Sequence, residues 1–188
     1  MTYSNSPSPT ATITAAGGSG TGLVSYALDS TSIGICSLNT NVVTALTAGD
    51  CVVTVTKAGD VNYSEATATV TINIAKGSQT ALTVSPANGT IVFDPTNPAT
   101  TTLATSGGSG TGAVSFAVNP NSSTICSIDG NKVTALAPGS CSIVATKAGD
   151  DNFNSITAVA VVTIAKASQS ALGATAAQGQ LEQPEWNR

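Results

Sequence analysis

The sequence predicts an all-β protein built of two β-sandwich domains in tandem, and three observations carry that prediction. The first is an internal repeat. Shifted by 90 positions, residues 17–82 align with residues 107–172 without insertion or deletion, and 35 of the 66 pairs are identical, which makes the two segments copies of one unit. A period of 90 residues is too long for a solenoid turn and suits a complete small domain, a bead on a string. The second is strict alternation of apolar and polar residues, the mark of strands with one buried face. The third is composition. Charged residues are 9% of the chain against about 25% in ordinary soluble proteins, while Thr, Ser, Ala, Val and Gly dominate, a set that favours pleated surfaces over helices.

Strands follow in order from the alternation. Val24, Tyr26 and Leu28 share one face, matched in the second bead by Val114, Phe116 and Val118. Strands are expected next over 33–38 and 42–46, and then at Cys51, Val53 and Val55, with Cys141, Ile143 and Ala145 as counterparts. In the last strand Ala66, Ala68, Val70, Ile72 and Ile74 point inward between Thr67, Thr69, Thr71 and Asn73. The inward set becomes Ile156, Ala158, Ala160, Val162 and Ile164 in the second bead. Turn chemistry separates the strands, as at Gly130 with Asn131, Pro138 with Gly139, and Gly59 with Asp60. The expected boundaries are 1–78 for the first bead, 79–168 for the second, and 169–188 for a further repeat start or a donor strand with a tail. The connector at 75–80 holds one Gly and no Pro, so limited swing between beads is expected.

The repeat is out of phase with the chain. Residues 79–89 have no counterpart ahead of the first bead, because Met1 falls opposite Ile91, so that bead is expected to lack its first strand. At the other end residues 165–179 follow 75–89 as if a third bead were starting, and the match stops at Gln180. Two explanations stand: a longer array cut out of phase, or head-to-tail complementation. In the second, Ser170, Ala171, Leu172, Gly173, Ala174 and Thr175 of one copy fill the vacant edge of the next and build a fibre.

Four cysteines fall as one pair per bead, which favours Cys36 with Cys51 and Cys126 with Cys141 if the beads fold alone. Bridges imply an oxidising place, the cell surface, periplasm or virion exterior. Zinc is disfavoured by the absence of any His and of C-x-x-C; buried free thiols are the remaining alternative.

A G-G-S-G-T-G run at 17–22 and 107–112 precedes a strand, I-C-S follows, and a Gly-x-Cys strand leads into T-K-A-G-D-x-N-[YF] and closes with I-A-K-x-S-Q. This order resembles a bacterial immunoglobulin-like repeat of large secreted and surface-anchored proteins, with related modules on phage particles. The residues that carry the likeness are Gly49, Asp50, Cys51, Lys57, Ala58, Gly59, Asp60, Asn62, Tyr63, Ala75 and Lys76, with their equivalents 90 positions on. The resemblance implies an immunoglobulin-like sandwich serving as a spacer or adhesive module, with no catalytic residues.

The same picture follows from the chemistry that is missing. Catalysis needs a base or acid placed beside a nucleophile or metal, and no such set is visible in a chain without His. A net charge of −4 with only six Lys and Arg excludes nucleic acid as a partner, and no run of about 18 apolar residues points to membrane insertion. No export signal is visible at Met1 and the residues after it, so a signal, if any, lies elsewhere or was removed. No cofactor is expected, with calcium the one candidate: Asp150, Asp151 and Asn152 cluster oxygen atoms on a turn. The competing reading has Asp and Asn bonding their own backbone to shape that turn, with Asn152 placing the aromatic after it. Expected partners are neighbouring repeats or copies of the chain itself, and surface polysaccharide, which a weakly charged Thr and Ser surface would suit. Three functions remain open: a spacer module of a stalk or fibre, a glycan- or host-surface-binding module, and a self-assembling fibre subunit. Trp186 near the end is either disordered or an anchor to a partner.

Overall fold

A computed structural model describes residues 1–175; Trp186, Gln180 and the rest of the 176–188 tail lie outside the described residues. The first bead contributes β1 (Thr10–Thr12), β2 (Val24–Leu28), β3 (Cys36–Asn39), β4 (Val42–Ala45), β5 (Gly49–Lys57) and β6 (Ala66–Ile74). The second contributes β7 (Leu82–Pro86), β8 (Thr90–Val92), β9 (Thr100–Gly107), β10 (Val114–Val118), β11 (Cys126–Asp129), β12 (Lys132–Ala135), β13 (Gly139–Lys147) and β14 (Ile156–Ala165). The fold is all-β, two sheets to each bead. The sheets are β1-β4-β3 and β2-β5-β6 in the first bead, β11-β12-β9-β7 and β10-β13-β14-β8 in the second.

The period-two pattern produces each core. β5 and β6 form one antiparallel ladder from Gly49 opposite Ile74 to Lys57 opposite Ala66, and β13 and β14 repeat it from Gly139 to Lys147. Alternate residues of β5, Cys51, Val53 and Val55, are buried against Cys36, Val43 and Ala45 of the facing sheet. The equivalent layer in the second bead joins Cys141 and Ile143 to Cys126, Val133 and Ala135, with Leu103 and Ile91 beside them.

The segment 33–35 departs from the expected strand. Asp29 caps a single 3-10 turn at Ser30–Ser32 by accepting from the Thr31 amide, and the chain re-enters the sheet only at Cys36. Ile33 is left 75% exposed. The turn persists because Ser32, fully buried, gives its Oγ to the Val52 amide at 2.8 Å, and Ser122 serves the Ser142 amide in the same way at 3.1 Å. A buried hydroxyl thus satisfies a strand amide that would otherwise be orphaned.

The beads differ at one edge. In the second, β8 lies parallel to β14 and β7 pairs with β9 from Leu82 opposite Gly107 to Pro86 opposite Leu103. The parallel edge survives in the first bead as a bridge from Thr2 to Ala75, with the Tyr3 amide donating to the Ala75 carbonyl at 2.8 Å. No described residue occupies the place of β7 there. β1 ends at Thr12, where β9 continues to Gly107. Of the set that the alternation points inward, Ala66 and Ala68 are exposed and Val70 and Ile72 half-buried as a result, whereas their equivalents in β14 are half-buried at Ile156 and Ala158 and buried at Ala160 and Val162.

Candidate functional site

The two motifs that mark the repeat meet at one end of each bead. Asp150 Oδ2 accepts from the Thr111 amide at 2.7 Å and the Thr111 hydroxyl at 3.1 Å, and Oδ1 accepts from the amides of Asn152 at 2.9 Å and Phe153 at 2.8 Å. Asp60 makes the same four bonds to Thr21, Asn62 and Tyr63 in the first bead. Lys147 Nζ donates to the Gly112 carbonyl at 3.1 Å and Lys57 to that of Gly22 at 3.0 Å. Glycine is required at 22 and 112, because a Cβ there would strike the carbonyl oxygen of Ala58 or Ala148. The Gly-rich run and the T-K-A-G-D run are therefore two halves of one loop clamp. These donors hold the Asp150 carboxyl down at about 2, the Thr111 amide first and the Asn152 amide next, and the amides of Thr21 and Asn62 lower Asp60 in the same way.

The clamp of the second bead is also where the first bead docks. The Gly77 amide donates to the Asn152 carbonyl at 2.8 Å, and the Asn154 amide returns a bond to the Gly77 carbonyl at 2.9 Å. Lys76 Nζ reaches the Asp150 carbonyl at 2.6 Å, and the Ala48 amide donates to Asn152 Oδ1 at 2.9 Å. The Tyr3 ring meets Phe153 edge-on with centroids 5.4 Å apart, a favoured aromatic geometry. Gln79 is buried beneath them. Its Nε2 donates to the carbonyls of Ala148 at 3.1 Å and Asn154 at 2.8 Å, and its Oε1 accepts from the Gly110 amide at 3.3 Å. Phe153 is 6% exposed under this cover, while Tyr63, its equivalent in the first bead, is 52% exposed.

Each residue singled out in the sequence has a definite place. Cys36 and Cys51 are bonded, as are Cys126 and Cys141, with Cα atoms 5.9 and 5.8 Å apart and all four side chains buried. Asp150 spends both oxygens on N–H and O–H donors, Asp151 is exposed, and Asn152 faces the first bead. It is Asp150 that holds the amide of the aromatic, rather than Asn152. Among the described residues no three His, Cys, Asp or Glu come together as metal ligands. Ser170, Ala171, Leu172, Gly173, Ala174 and Thr175 form no strand and are exposed. Sequence reasoning missed Gln79, although its recurrence as Gln169 inside I-A-K-x-S-Q was visible, and it missed Tyr3, for which no signal existed. No helix among the described residues is long and apolar enough to cross a membrane.

No family model matches the chain, and no curated protein matches it. Among solved structures it is similar to protocadherin gamma B2 extracellular cadherin domains 3-6, with 17% identity and a TM-score of 0.37 over 89% of this chain and 50% of that one. The protocadherin gammaB7 EC3-6 cis-dimer structure follows at 15% identity and a TM-score of 0.37 over 77% and 40%. The protocadherin gammaB4 extracellular domain gives 17% and 0.36 over 88% and 32%. The chain spans half or less of the length of these structures.

Proposed function

We propose that the chain is a non-catalytic structural module of an extracellular surface assembly, two stiff links of an adhesin stalk or fibre, with residues 1–78 and 79–168 as the links. The observation that carries this reading is the joint. Its connector is hydrogen-bonded on both sides of Gly77, plugged by Gln79 and covered by Tyr3, so a swing between beads would break several backbone bonds at once. Buried paired cysteines support an oxidising location, the cell surface or a virion exterior. The motif order supports kinship with bacterial immunoglobulin-like repeats, and a joint between two like beads supports neighbouring repeats or copies as partners.

Residual dipolar couplings test it. The two beads are expected to share one alignment tensor, and inserting Gly-Gly-Ser after Gly77 is expected to split it in two. Independent tensors in the unaltered chain would remove the stiff-spacer reading, and binding of the isolated chain on a glycan array would replace it with a polysaccharide-binding module.

A further inference from the structure

We propose that the open edge of the first bead is a receptor for a β-strand, and that its occupant is residues 169–175 of a second copy of this chain. Copies then join head to tail through the joint that already links the two beads.

The receptor is a real space. Residues 14–17 are exposed and have no strand partner among the described residues, and beside them a cavity of about 250 Å³ is lined by Gly17, Val24, Val55, Ala66, Ala68 and Val70. In the second bead β7 stands at this place, buries Leu82 and lies against β14. A Cβ on Gly107 would collide with the carbonyl of Ala81, the residue that leads into β7, while a Cβ on Gly17 would meet nothing within 4 Å. The first bead is thus shaped for a strand that none of the described residues supplies.

The occupant is argued from the repeat. Residues 165–175 restate 75–85, keeping Lys166, Ser168, Gln169, Ala171 and Leu172 at the positions of Lys76, Ser78, Gln79, Ala81 and Leu82. Leu172 is 97% exposed, an apolar side chain that no described residue of its own copy covers. The β7–β9 register transfers directly: Leu172 opposite Gly17, Gly173 opposite Ala16, Ala174 opposite Ala15 and Thr175 opposite Thr14. The Gln169 amide would then reach the carbonyls of Ala58 and Ser64, Lys166 that of Asp60, and Phe93 would cover Tyr63 as Tyr3 covers Phe153. The donor shrinks from Val84 to Ala174, and the receptor wall changes with it, growing from Ala145 to Val55 and from Ala160 to Val70 and shrinking from Ile156 to Ala66.

Three positions depart from the existing joint. Pro138 replaces Ala48 and removes one amide donor, Ser64 replaces Asn154 and removes the side-chain amide that reaches the Lys76 carbonyl, and Ala167 replaces Gly77, where a methyl group would press on the carbonyl equivalent to that of Tyr3, so the connector must shift locally. The contact uses different surfaces on the two copies, so each copy keeps one donor and one receptor free for the next and the proposed assembly grows as a filament.

Sedimentation of the disulfide-intact chain over rising concentration tests this. The expected result is a ladder of dimer, trimer and longer species, with a peptide of residues 166–175 blocking growth and shifting the Tyr63 ring resonances. Leu172→Asp should return the chain to monomer with an unchanged circular dichroism spectrum, because Leu172 contributes nothing to the isolated fold. A chain that stays monomeric at millimolar concentration and ignores the peptide would overturn the proposal. So would assembly that survives Leu172→Asp, or a monomer whose Leu172 amide is protected from exchange at high dilution, since the chain would then fill its own edge.

Discussion

At the scale of single residues, Asp150 shows how one carboxylate can shape a fold end through its own hydrogen bonds. Its two oxygens offer about four acceptor directions, and Thr111, Asn152 and Phe153 take all of them. A cation would have to displace these donors. Millimolar calcium is therefore expected to leave the melting temperature unchanged; a rise reversed by chelator would reinstate the metal site at Asp150, Asp151 and Asn152. The folded carboxyl titrates at about 2, below its ordinary 3.8, so the stability it contributes is complete above pH 4 and is lost as pH falls through 2. Thermal melts are expected to be flat above pH 4 and to decline between pH 4 and 2. Asp150→Asn, which cannot ionise and turns an amide towards the Thr111 N–H, should lower the plateau and flatten that decline. An unchanged acid slope in the variant would remove Asp150 from the acid response.

At the scale of elements, the strands with the longest alternation were the easiest to read. β5 and β6 run for nine residues each, and their apolar periodicity has no competing explanation. The 33–35 segment was misjudged because an apolar run says nothing about the Asp29 cap and the buried Ser32 that bend it out of the sheet. The bridges join β3 to β5 and β11 to β13 across the core, closing loops of 15 positions. Non-reducing peptide mapping is expected to recover Cys36 with Cys51 and Cys126 with Cys141 as separate linked pairs. Replacing Cys126 and Cys141 together by Ala is expected to cost the second bead roughly 3 kcal/mol in chemical denaturation, the loop-entropy value for this separation. A loss below about 1 kcal/mol would mean that the unfolded loop is already constrained.

At the scale of the whole molecule, the two beads share their sequence pattern but differ in closure. The second has β7, whose Leu82 is 7% exposed, and burying such a side chain stabilises by about 1.5–3 kcal/mol. In the first no described residue takes that position. Calorimetry in dilute solution is expected to resolve two transitions, the first bead melting at the lower temperature. Leu82→Ala should cost the second bead about 2–5 kcal/mol, bringing the transitions together while leaving the lower one in place. A single transition unaffected by Leu82→Ala would show that the joint couples the beads more strongly than β7 stabilises the second.

By itself, the sequence determined the all-β class, the 90-residue unit, the cysteine arithmetic and the phase of the repeat, because all of these are properties of spacing along the chain. It also held both halves of the clamp. What it did not state is that Asp150 reaches across to Thr111, 39 positions away, or that Gln79 is buried between Ala148 and Asn154. Nor did it distinguish Tyr63 from Phe153, nearly alike in chemistry and identical in frame, of which one is covered and the other open. Those differences were decided by the tertiary structure, since burial and hydrogen bonding depend on which segments arrive at a site, and here the connector that follows β6 arrives together with Tyr3 and Ala48 of the first bead.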